Sequence, residues 1–144
     1  MTALALDLDA VLADTRPLWD AWLEDAARRT RVELTVPDDR LAAAAVLDEA
    51  LGDWRPLLKR FAAGRAPVYF RPRADTGALL RRLQADGARL GAFTDAPREL
   101  AEVAVAHAGA ARRIEVLGTL DEVLAALGED AAVVRTREEL AASV

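Results

Sequence analysis

The feature that most constrains this chain is an apolar run near its start that ends on two carboxylates. Residues 4–15 read LALDLDAVLADT, with Asp7 and Asp9 one residue apart. A strand buried on both faces excludes unpaired carboxylates, because a buried charge without a partner is very costly. Two of them at the end of a short apolar run therefore mark a strand tip that opens into a site. Open α/β sheets bind ligands outside the carboxyl ends of their strands, and the arrangement fits that rule.

The 144 residues suit one domain with a real core and room for a small insertion. The net charge of -5 gives no support for binding a phosphate backbone, so no nucleic-acid partner is expected. The absence of cysteine excludes disulfides, thiol catalysis and thiolate metal sites. No apolar run approaches the roughly 18 residues of a membrane span, and no basic region precedes the first apolar run. The expectation is a soluble cytoplasmic protein with no membrane partner. Oligomeric state has no signature in the sequence.

Along the chain, LALDL reads as a first strand. Asp14 or Thr15 can cap a helix with Pro17 in its first turn, whose apolar face carries Trp19, Trp22, Leu23 and Ala26. Asp38 opens a second, alanine-rich helix that Gly52 can close. Trp54, Leu57, Leu58 and Phe61 give a third amphipathic face, ended by Gly64. Asp75 or Thr76 can cap a fourth helix, ended by Asp86-Gly87, and residues 88–93 (ARLGAF) read as a second strand leading into Thr94 and Asp95. Pro97 begins a helix with an inner face of Leu100, Val103, Ala104 and His107. Residues 114–117 and 131–134 read as two more strands. Each precedes a capping-box pattern, Thr119 with Glu122 and Thr136 with Glu139. Strands alternating with helices predict an open, mostly parallel sheet with helices on both faces. Three consecutive helices after the first strand read as an insertion.

DLDAVLADT resembles the first motif of the haloacid dehalogenase-like (HAD) phosphatases, D-x-D-G-[TV]-L-x-D-[TS]. RPRADTGALLRRLQADGARLGAFTD is similar to that family's approach to its second motif, which ends in Thr or Ser. The resemblance implies an α/β HAD-like core over residues 1–14 and 72–144, with a small α-helical cap over 15–71. It also implies a Mg²⁺-dependent phosphohydrolase acting on a small phosphorylated metabolite. Asp7 matches the nucleophile that forms an aspartyl-phosphate, and Asp9 the acid/base residue. The two aspartates would hold Mg²⁺, Asp9 through its backbone carbonyl. Thr94 matches the hydroxyl that binds the phosphoryl group, and Asp95 follows it where the family often has Asn.

The likeness is incomplete. Ala10 stands where the first motif usually has Gly. The Lys of the third motif is absent, with Arg112 and Arg113 the nearest cations. Arg135, Thr136 and Arg137 stand where the fourth motif carries metal-binding aspartates, with Glu138 and Glu139 beyond them. The alternative function is therefore a catalytically degenerate HAD-like protein acting as a binding or regulatory module. Dehalogenation by the same nucleophile is disfavoured, since Asp9 matches the phosphatase branch. Plainer roles also stand beside several residues. Asp9 can cap a turn, and Thr94 can cap the helix at Pro97. His107 can be structural, and Lys59 and Arg98 can be solvated. The three tryptophans can be core.

Overall fold

A computed structural model describes residues 2–144. Four short strands form one all-parallel sheet in the order β3-β2-β1-β4, with β1 at Ala3–Asp7, β2 at Arg89–Phe93, β3 at Val116–Gly118 and β4 at Ala132–Val134. The register sets Asp7 against Phe93 and Phe93 against Gly118, so the strand tips converge on one edge. β1 leads into a π-helical turn at Leu8–Leu12, then helices α1 (Arg16–Thr30), α2 (Arg40–Leu51) and α3 (Arg55–Tyr69) follow without a strand between them. α4 (Ala74–Ala85), α5 (Arg98–His107), α6 (Leu120–Leu127) and α7 (Arg137–Ala142) connect and flank the strands. No helix is long and apolar enough to cross a membrane among the described residues.

Period-two alternation of side chains sends each strand's residues to two separate cores. Leu4 and Leu6 of β1, with Leu90 and Ala92 of β2, pack under Leu80 and Leu83 of α4, Ala101 and Val105 of α5 and Leu140 of α7. Ala5 and Phe93 face the other way, against Val123 and Leu127 of α6. Both faces are covered, as a parallel sheet requires. A third core lies off the sheet. Trp19, Trp22, Leu47, Trp54, Leu58, Ala62 and Ala66 join α1, α2 and α3 to Leu100 and Ala104 of α5. The three tryptophan rings pack with centroids 5.5 to 6.3 Å apart, and Trp54 Nε1 donates to Asp48 at 2.7 Å. They are core, as their helical spacing allowed.

Several local expectations needed correction. α3 does not stop at Gly64 but runs through Gly64 and Pro67 to Tyr69. Burial of Ala62, Ala66 and Phe70 against the helical core outweighs the cost of about 1 kcal/mol for an interior glycine. α5 buries Leu100, Ala101, Ala104 and Val105, whereas Val103 and His107 are only half-buried. Its N-cap is Pro97, not Thr94. The Thr119–Glu122 capping box is complete. In the second box Thr136 accepts from Glu139 N–H, but the Glu139 carboxylate takes the N–H of Arg135.

Gly91 sits at the centre of β2, directly under α6. A Cβ built there would lie 2.7 Å from Val123, 2.8 Å from Val116 and 3.0 Å from Leu127. The close helix–sheet contact therefore depends on a residue without a side chain. Gly91→Ala should destabilise the protein by about 1–3 kcal/mol through overpacking, measured by denaturant unfolding. An unchanged midpoint would show that α6 can lift without cost.

Candidate functional site

Asp7 ends β1, and its Oδ1 accepts the backbone N–H groups of Asp9 and Ala10 at 3.1 and 3.3 Å. This caps the π-helical turn and swings Asp9 back over the sheet edge. Ala10 does not have a positive φ, so the turn does not need the glycine usual at that position. Asp7 Oδ2 receives no hydrogen bond among the described residues. Burial pushes the Asp7 carboxyl above its ordinary value. The two N–H groups oppose that, the Asp9 charge adds to it, and Arg135 pulls it down.

Asp9 has a different environment. Its Oδ1 accepts the Thr15 N–H at 2.8 Å and the Thr15 hydroxyl. Its Oδ2 accepts the Thr94 hydroxyl at 2.7 Å and Arg40 Nη2 at 3.1 Å. Arg40 was not anticipated as a site residue. It stands in the first turn of α2, only 2% exposed, and reaches across from the helical layer to the sheet edge. Nε and Nη2 donate to Asp95 Oδ1 at 3.0 and 2.9 Å, Nη1 to the Thr15 hydroxyl at 2.6 Å, and the Arg40 N–H to Asp95 Oδ2 at 2.9 Å. One guanidinium therefore clamps two aspartates, with Arg16 a further 3.7 Å from Asp95.

Burial pushes the Asp95 carboxyl up, but the hydrogen bonds and charge of Arg40, helped by Arg16, hold it below its ordinary value. Thr94 follows β2, takes the Ala96 N–H at 3.1 Å and commits its own proton to Asp9. The fold thus brings Asp9, Thr94 and Asp95 together around Arg40, and leaves Asp7 at the side with a free oxygen.

These groups line a cleft of about 460 Å³ at the carboxyl edge of the sheet, where Asp14, Leu41, Phe93 and Arg135 also face inward. The Arg135 guanidinium lies 5.5 Å from the centre of the Phe93 ring. The other candidate cations and carboxylates do not line the cleft. Arg113 donates to Gln84, Arg98 to the Leu117 carbonyl and Glu102, and Lys59 and Glu138 are exposed. No sequence signal singles out Arg40, because α1, α3, α5 and α7 also begin with an arginine.

Mg²⁺ requires a near-octahedral set of oxygens at about 2.0–2.1 Å. No three Asp, Glu, His or Cys side chains converge among the described residues. Both oxygens of Asp9 are taken by N–H and O–H donors, and a guanidinium occupies the space between Asp9 and Asp95. The oxygens that the resemblance assigns to Mg²⁺, on the Asp7 side chain and the Asp9 backbone carbonyl, are not the ones held by Arg40. No group of three acidic side chains gathers beside them among the described residues to complete a set. A comparison with protein-family models finds no match to the chain, and a comparison with curated proteins finds none either.

Two outcomes are expected. Arg40→Met should cost about 3 kcal/mol, since it strands two carboxylates that are only partly exposed, and denaturant unfolding measures the loss. Asp7→Asn should raise the melting temperature at neutral pH. A carboxyl raised in the folded state opposes folding above its folded pKa, and the penalty fades as pH falls through that value toward 3.8. The gain should stay below about 1 kcal/mol because solvent screens a half-buried group. Asp95 acts oppositely, with its contribution present above 3.8 and lost as pH falls through its lower folded value. A melting series against pH for wild type and Asp7→Asn checks both signs.

Proposed function

We propose that this chain has a HAD-like architecture, with residues 15–71 as its helical cap, and serves as a binding module that does not turn over phosphate esters. The observation that carries this reading is the occupancy of Asp9. General acid/base work needs a carboxyl within reach of the leaving oxygen. Asp9 instead meets four protein donors, from Thr15, Arg40 and Thr94.

Charge supports the same reading. A carboxylate attacks a phosphoryl dianion only where negative charge is neutralised. Beside Asp7 that task falls to Arg135, because Arg40 is committed to Asp9 and Asp95. One observation favours the competing Mg²⁺-dependent hydrolase of a small phosphorylated metabolite, namely the free Oδ2 of Asp7 facing the cleft. An Asp7 nucleophile without a mobile acid/base partner would form or break the acyl phosphate slowly.

The deciding measurement is phosphate release from a panel of monoesters, with and without Mg²⁺, for wild type, Asp7→Asn and Asp9→Asn. All three should give the same background rate. A working acid/base would slow Asp9→Asn by about 10²–10⁴-fold, and Mg²⁺-dependent release lost in either variant would restore the hydrolase reading.

A further inference from the structure

A second cavity, of about 360 Å³, lies between α1 and α3 and shares no residue with the aspartate cleft. It opens about 15 Å along α1 from Arg16, at the rise of about 1.5 Å per residue. Its apolar lining comes from Trp22, Leu51, Leu57 and Phe61, and Leu57 is 52% exposed at the mouth. The charged lining is cationic in a chain whose net charge is -5. Arg29, Arg60 and Arg65 stand around the apolar floor. Asp25 is the one carboxylate among the lining residues, and it is paired with Arg28 and Arg29 at 3.4 and 3.2 Å. Arg65 lies 4.4 Å over the Phe61 ring, and Arg60 has no ion pair among the described residues.

Gly64 supplies an independent observation. Glycine is the least favourable helix-interior residue after proline. It is usually kept where a neighbour leaves no room for a side chain. At Gly64 a Cβ would meet nothing within 4 Å. No packing demands the glycine, and a side chain at this lining position has open space to occupy.

We propose that this cavity binds a small amphipathic anion, an aliphatic or aromatic body carrying one carboxylate. The body would displace water from Leu57 and Phe61 above the buried Trp22, and the head would take charge-assisted hydrogen bonds from Arg60 and Arg65. The volume falls in the range of about 300–1,000 Å³ usual for small-ligand sites. The site stands whether or not the aspartate cleft turns over, because it uses none of that cleft's residues.

The test is titration of the full chain with decanoate, followed by calorimetry and tryptophan fluorescence, with decanol and decylammonium as controls of equal length. Decanoate should bind saturably and at least about tenfold more tightly than decylammonium. Arg60→Gln with Arg65→Gln should weaken decanoate by about tenfold or more and leave decanol unchanged. Gly64→Leu should fill the cavity, melt no lower than wild type and lose binding. Equal affinity for decanoate and decylammonium overturns the proposal, as does decanoate binding that survives Gly64→Leu. Failure of decanoate to saturate at millimolar concentration, or binding only of an acidic amphipathic peptide, overturns the small-ligand assignment.

Discussion

The structure depends on one buried cation. Arg40 leaves the first turn of α2 and ends between Asp9, on the turn after β1, and Asp95, on the loop after β2. Apolar contacts among α1, α2, α3 and α5 supply most of the attraction between helical layer and sheet, but such contacts are non-directional. The guanidinium is a rigid planar fork with donors in fixed directions. It accepts only one placement of α2 relative to the two strand tips, and it also orients Thr15 at the start of α1. Removing two carboxylates and a guanidinium from water costs much of what their attraction returns. The gain is in geometry more than in net stability.

That geometry has a chemical consequence. The atoms that hold the helical layer in place are those the HAD-like pattern would assign to proton transfer. Thr94 follows the same logic, because its hydroxyl proton points at Asp9 and not into the cleft. Asp7 escapes, since its only donors are backbone N–H groups on one oxygen. On the proposed reading, the ion pair holds the carboxylate that catalysis would need.

Much of this was legible in the sequence, for identifiable reasons. The apolar runs around Asp7 and before Thr94 marked β1 and β2 to within one or two residues, because buried parallel strands are continuous apolar segments. Thr119 and Glu122 announced α6 through local chemistry that no distant contact disturbs. Gly64 misled, because tertiary burial of Ala62, Ala66 and Phe70 overrode its local preference. The π-helical turn at Leu8–Leu12 was invisible, since apolar periodicity carries no mark of a wider hydrogen-bonded ring. Arg40 left no periodic trace at all. Its partners lie far along the chain at positions 9 and 95, and an arginine at a helix start is common to five helices here, so no local pattern names them.

The strand order carries a consequence for synthesis. β1 is the second strand in from one edge of the sheet, yet it leaves the ribosome first. Leu4 pairs with Leu90 on one side and Ala132 on the other. At about 5–20 residues per second, β1 waits on the order of ten seconds for both neighbours. Meanwhile α1, α2 and α3 emerge together and can gather around their tryptophans. For that interval the nascent chain has a helical bundle with an arginine awaiting Asp95, and an apolar strand with two unpaired edges, the kind of surface that holdase chaperones cover.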